Sequence, residues 1–241
     1  MKLHENIKFF FLVSSIVFAG HPLNTDDAFN LGKNSFEFEF VYEFYDYDAI
    51  MEMTIPITVS YGLFNNSDIV FSLAYHKSWD DNFTLNSLGD ATIELKQILY
   101  DDLLRIGIKP FVTLPTGDES IGFGKGKVNY GTYLLLTKEW EELHIHTQFG
   151  YSTNHNVIGE RPDFWEYSLA AEKFLSNKLS TVIEFGIARN CCFESLEHTK
   201  FLLGGIIYQI DDMFVLDLGL MKGLTDDNPN FGLLSGITLG L

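Results

Sequence analysis

Ionisable side chains recur at every second position along much of this 241-residue chain. Glu37, Glu39 and Glu43 sit among the aromatic residues of Phe36 to Phe44, and Glu52, Asp90, Glu94, Glu166, Glu172, Glu184 and Asp217 hold comparable positions further on. Lys96, Arg105 and Lys109 share the spacing, as do His144 and His146. Side chains two apart on a strand project from one face, so each set lines a single surface. Carboxylates that line a passage bias it towards cations. The same groups could instead satisfy one another as an internal charge network, and the sequence leaves both readings open. His144 and His146 could ligate a metal, or one could act as a base. Hydrogen-bonded interior histidines are the expectation, so no metal, cofactor or catalytic residue is assigned. A hydrolase would need a nucleophile, and no Gly-x-Ser-x-Gly occurs to single out Ser152 or Ser168. Gly117 to Lys127 has glycines and lysines without the Gly-x-x-x-x-Gly-Lys-Ser/Thr pattern, which argues for a flexible loop over a phosphate site. Cys191 and Cys192 are adjacent; a bridge between them would close almost no chain, and no metal-ligand spacing surrounds them.

The elements that must carry these residues are strands. In Phe36 to Phe44 the even positions are all aromatic and the odd ones mostly Glu. A helix would scatter those glutamates around its axis. The alternation returns at Met51 to Tyr61, Ile69 to Tyr75, Asp90 to Lys96, Arg105 to Leu114, Leu143 to Ser152, Trp165 to Glu172, Ile183 to Ala188, Phe214 to Leu220 and Leu233 to Leu241. Tight polar turns at Asn65–Ser67, Asp101–Asp102, Glu141–Glu142, Ser176–Asn177 and Asp211–Asp212 alternate with mostly longer breaks. Short turns on one rim and long loops on the other, joining about twelve strands, describe a transmembrane antiparallel up-and-down β-barrel with its short side periplasmic.

The N-terminus specifies the compartment. Lys2 and Lys8 precede an apolar run from Phe9 to Phe18, and Val17-Phe18-Ala19 suits a signal peptidase, so residues 1–19 are expected to be a cleaved signal peptide. That run is too short to cross a bilayer as a helix, which takes about twenty apolar residues, and no other run approaches that length. A formal charge of −17 excludes nucleic acid as a partner, because phosphate binding needs clustered bases. Strand runs long enough to span hydrocarbon, and aromatics near their ends (Phe44, Tyr45, Tyr61, Phe64, Tyr75, Trp79, Tyr100, Trp140, Tyr151, Trp165), favour a membrane barrel over a soluble β-sandwich. In lipid the sheet must close, since open edges would leave backbone groups unpaired. Pro56 and Pro110 each lack a ladder donor and are expected at a bulge or near a rim.

Several segments resemble one known family. They are Pro22-Leu23-Asn24-Thr25-Asp26-Asp27-Ala28, Leu88-Gly89-Asp90 leading to Glu94-Leu95-Lys96, Lys109-Pro110 running to Leu114-Pro115-Thr116-Gly117-Asp118, Gly122 to Gly126, Phe149-Gly150-Tyr151, and Gly236-Ile237-Thr238-Leu239. The chain resembles the outer-membrane barrels grouped as "MetA-pathway of phenol degradation" transporters. The resemblance implies an outer-membrane protein passing small solutes, hydrophobic or aromatic compounds among them. It supplies no catalytic residue. The expected layout is a signal peptide (1–19), a periplasmic or plug segment (20–34) and a barrel (35–241). Outer-membrane lipids, a small solute and, during biogenesis, the barrel-assembly machinery are the expected partners. A non-conducting barrel with a charged, plugged lumen is the alternative reading, and an outer-membrane lipid-modifying enzyme is a second.

Overall fold

The computed structural model describes residues 21–195 and 197–241. The expected signal peptide lies outside the described residues. Thirteen strands form one sheet: β1 (Phe36–Asp46), β2 (Met51–Phe64), β3 (Ser67–Trp79), β4 (Thr84–Leu88), β5 (Ala91–Asp101), β6 (Arg105–Leu114), β7 (Asn129–Glu139), β8 (Leu143–Thr153), β9 (Asp163–Ser176), β10 (Leu179–Ala188), β11 (Thr199–Gln209), β12 (Phe214–Gly223) and β13 (Phe231–Gly240). Each wall strand runs antiparallel to its neighbours, and β13 pairs with β1 from Glu37–Gly240 to Asp46–Phe231. That last ladder closes the wall.

β4 and β5 are two halves of one wall strand. Both pair with β3, through Tyr75–Leu88 and Ser72–Thr92, with a one-residue slip at Gly89-Asp90 between them. Twelve wall strands therefore form a closed barrel, with almost no helix beyond a single 3-10 turn at Glu119–Ile121.

The outward face is apolar along the strands. Phe40, Ile57, Phe71, Phe149, Ile183 and Leu218 are all exposed, Ile183 at 54%. In water such a continuous belt would be costly; in lipid it is the matching surface. Closure and this belt make the chain an outer-membrane barrel. Exposed Phe64, Tyr100 and Trp140 mark the short-turn rim and Tyr130 and Tyr151 the long-loop rim. Tyr45 departs from the expected girdle. It shares the parity of buried Glu43 and packs inward against an apolar cluster.

Pro56 and Pro110 also depart from expectation, since both sit within strands. Pairing of β1 with β2 skips from Phe40–Ile57 to Glu43–Thr54, and pairing of β5 with β6 skips from Glu94–Phe111 to Gln97–Ile108. The register is the same on either side of each gap. A missing N–H is thus absorbed by a local interruption, with no bulge.

Candidate functional site

The inner face carries the ionisable residues that the alternation assigns to it. Glu39, Glu43, Glu94, Glu184, Asp217, Lys96, Lys109 and His146 are buried inside the wall, and Glu37, Glu52, Glu166, Glu172 and His144 are half-buried on the same face. Arg105 sits at the short-turn rim, where its guanidinium bridges Glu139 at 2.9 Å and Asp101 at 3.1 Å. Asp90 has a different place: it lies at the kink between β4 and β5. Its carboxylate accepts from the backbone N–H groups of Gly117 and Lys125, both at 2.8 Å, and so fastens the long loop after β6.

What brings the inner face together is residues 21–34. This segment has no strand pattern, yet His21, Pro22, Leu23, Thr25, Asp26 and Ala28 are buried within the lumen. Its course can be followed from its partners. His21 pairs with Asp217 on β12. The Asn24 N–H donates to Glu184 at 2.8 Å, and the Thr25 hydroxyl lies 2.7 Å from both Glu184 and Ser168. The Asp26 N–H donates to the Gln148 side chain, and the Ala28 N–H to the Thr137 hydroxyl at 2.9 Å. The Leu31 N–H donates to Asp68 at 3.0 Å. The chain thus crosses from β12, past β10, β9 and β8, to the start of β3 before entering β1.

The electrostatic centre of this crossing is Asp26. Its carboxylate receives the Lys96 ammonium at 2.7 Å and the Lys109 ammonium, while Lys96 also reaches Asp27 at 2.9 Å. Lys109 is 1% exposed and lies 3.6 Å from Glu94. Two wall cations therefore share one carboxylate from the crossing segment, with wall acids around them. Charge-assisted pairs of this kind hold a buried segment because breaking one strands a charge away from water.

Apolar contacts complete the fit. Ala28 joins Ile98, Phe111, Tyr133 and Leu135, and Leu23 joins Ala170, Val182, Leu203, Met221 and Leu234. Glycines leave the room: a Cβ on Gly219 or Gly205 would stand 2.7 Å from the Pro22 ring, and one on Gly62 would strike the Gly32 carbonyl. Phe29 packs against His144 and His146, with ring centroids 5.9 and 6.2 Å apart, and beneath the Arg105 guanidinium.

At the opposite rim the long loops are bound to each other. Lys125 pairs with Glu160 at 2.6 Å, and Arg161 donates to the backbone carbonyls of Cys192, Phe193 and Ser195. The loop after β6 buries Phe123 on the ring of His76, with centroids 5.5 Å apart. Asp118, fully exposed, is held below the usual carboxylate range by the Ser120 side chain and N–H. Burial pushes the Cys191 thiol up to about 12, and neither cysteine is in a disulfide.

The family model described as "Putative MetA-pathway of phenol degradation" matches residues 51–241. The chain belongs to this phenol-degradation family. Structures similar to it are outer-membrane barrels. The COG4313 outer membrane channel from Pseudomonas putida F1 superposes with a TM-score of 0.75 at 14% identity, covering 89% of this chain and 98% of that one. The NanC porin gives 0.56 at 10% identity over 86% and 100%. The KdgM porin, in complex with disordered oligogalacturonate, gives 0.55 at 10% identity over 85% and 98%. No curated protein matches the chain. At these identities the likeness is one of fold. Of the segments that carried the resemblance, Pro22 to Ala28 precedes the residues matched by the family model and is the part that crosses the lumen.

The inner glutamates, lysines and histidines were accessible to sequence reading; the roles of Phe29, Asp68, Thr137 and Gln148 were not. All four take a contact on the path of the crossing segment, which no sequence period announces.

Proposed function

We propose that this protein is a passive outer-membrane channel for small solutes, hydrophobic or aromatic compounds among them, with the N-terminal segment as its constriction. The observation that carries the reading is the pairing of Asp26 with Lys96 and Lys109 inside a closed barrel whose inner face is otherwise rich in carboxylates. A polar, charged lumen has no value for burying surface, whereas it lowers the barrier to a solute that must shed water. The acidic excess favours cations over anions. The short-turn rim faces the periplasm, and the terminal strand, ending Gly236-Ile237-Thr238-Leu239-Gly240-Leu241, is the segment offered to the barrel-assembly machinery. The test is solute flux into liposomes carrying the refolded protein, with reversal potentials measured in a salt gradient. Flux with cation preference is expected; folded protein that passes neither ions nor small solutes contradicts the reading.

One observation favours the second reading, a non-conducting barrel. His21, Thr25 and Asp26 are each no more than 3% exposed, so the crossing segment is held by a dense set of bonds. The same flux measurement separates the two. The enzyme reading has less support. Ser168 hydrogen-bonds Thr25 and no histidine among the described residues, and the Nδ1 of His146 is engaged by Thr137 at 3.0 Å.

A further inference from the structure

His144 and His146 leave β8 on its inner face, and the next strand, β9, sets Glu172 directly across from His144. One ligand atom from each of the three lies within 4.8 Å of the others. His146 Nε2 stands 3.9 Å from Glu172 Oε2. Ligand atoms around a tetrahedral first-row ion, with bonds of about 2.0–2.2 Å, are about 3.3–3.6 Å apart. Side-chain rotation must draw the three atoms from within 4.8 Å of one another to that spacing.

The surroundings prepare each ligand. Thr137 Oγ1 lies 3.0 Å from His146 Nδ1, which leaves Nε2 as the atom turned to Glu172. Such a partner on the far nitrogen fixes the ring and selects its tautomer. The Ser180 hydroxyl donates to Glu172 Oε1 at 2.5 Å, so Oε2 is the oxygen left towards the histidine. The Phe29 ring covers one side. The His144 and Glu172 side chains remain 18% and 16% exposed near the short-turn rim, which gives an ion a way in. Glu139, whose other carboxylate oxygen is held by Arg105 at 2.9 Å, brings Oε1 to 3.7 Å from His144 Nε2.

We propose that His144, His146 and Glu172 form a binding site for a divalent first-row transition ion such as Zn2+, Ni2+ or Co2+, at the short-turn mouth of the lumen. Two imidazoles and one carboxylate select these ions over Ca2+ and Mg2+, which prefer all-oxygen shells. Three protein ligands leave a coordination position for water. Binding reaches the crossing segment through Thr137, because its hydroxyl oxygen accepts the Ala28 N–H and can also accept Nδ1–H of a metal-bound His146. The site stands on side-chain geometry alone and holds whether or not solutes pass the barrel.

The test uses untagged, chelator-washed full-length protein in detergent, titrated with Co2+ and read by its visible ligand-field absorption, then displaced with Zn2+. One saturable ion per chain is expected, unaffected by excess Ca2+. Glu172→Gln and His144→Gln should each weaken binding at least about tenfold, and Thr137→Val by about tenfold through the second partner shell. His155→Ala, in a distant loop, should leave it unchanged. Heat-modifiable gel mobility shows which variants are folded, and the folded ones decide. No saturable Co2+ binding by the folded parent protein, or equal affinity in folded Glu172→Gln, overturns the site.

Discussion

Asp26 and Lys96 stand 70 residues apart in sequence, and their side chains meet at 2.7 Å in the middle of the barrel. One belongs to a segment without regular structure, the other to the wall. Lys109 joins the same carboxylate from the next strand. The segment is therefore held across the lumen by a contact that can be broken without touching the wall's hydrogen bonds.

Replacing Asp26 by Asn keeps the shape and removes the charge that both lysines share. The crossing segment should loosen and the two cations should face the passage. Conductance is expected to rise severalfold while cation preference falls. Current recordings in a salt gradient read both quantities. Lower conductance with unchanged selectivity would show that Asp26 does not hold the constriction.

Lys109→Met leaves Asp26 and Glu94 in the interior without the cation between them. Breaking a buried ion pair from one side costs about 3–5 kcal/mol. Urea unfolding from bilayers should show a loss of that order, and adding Asp26→Asn should recover part of it. Losses that simply add would mean the two side chains are not coupled.

The wall was largely legible in the sequence, and the crossing segment was not. Phe36 to Phe44 announces a strand because one face meets lipid and the other the lumen, and that demand leaves a period of two. Residues 21–34 meet a different partner at almost every position, so no period survives. Asp26 and Asp27 fall in the stretch expected to be a periplasmic or plug segment, but the lysines that receive them lie far along the chain. The histidine pair was visible at a spacing of two, while Glu172 required the register of β8 against β9. Asp90 read as the start of an inner face; the slip at Gly89-Asp90 gives its carboxylate to the loop.

Gly219 faces Pro22 so closely that a Cβ there would lie 2.7 Å from Pro22 Cβ. Gly219→Val should expel the start of the segment from the lumen without breaking the wall. The variant should keep its heat-modifiable mobility, and a cysteine placed at Leu23 should react far faster with a water-soluble maleimide than in the parent. Equal labelling rates would place the segment elsewhere.

On the outer surface, Ile183 is 54% exposed in the middle of β10. Ile183→Arg should destabilise the barrel in bilayers by about 2–4 kcal/mol, the cost of a base at mid-depth. Unfolding titrations in lipid vesicles check this. A change near zero would remove Ile183 from the lipid-facing belt.

Burial raises the Cys191 thiol to about 12, so the neutral thiol persists through the whole neutral range and thiolate appears only in strong alkali. In a Cys192→Ser background, iodoacetamide at pH 8 should label Cys191 far more slowly in the folded protein than after unfolding. Equal rates would show that the loop around it is open.

In the proposed channel the N-terminal segment constricts a conducting lumen. Single-channel recording of the full chain beside a chain lacking residues 21–33, both shown folded by heat-modifiable mobility, tests it most directly. Cation-preferring steps are expected in both, several times larger in the shortened chain. Folded protein that is silent in both forms would contradict it.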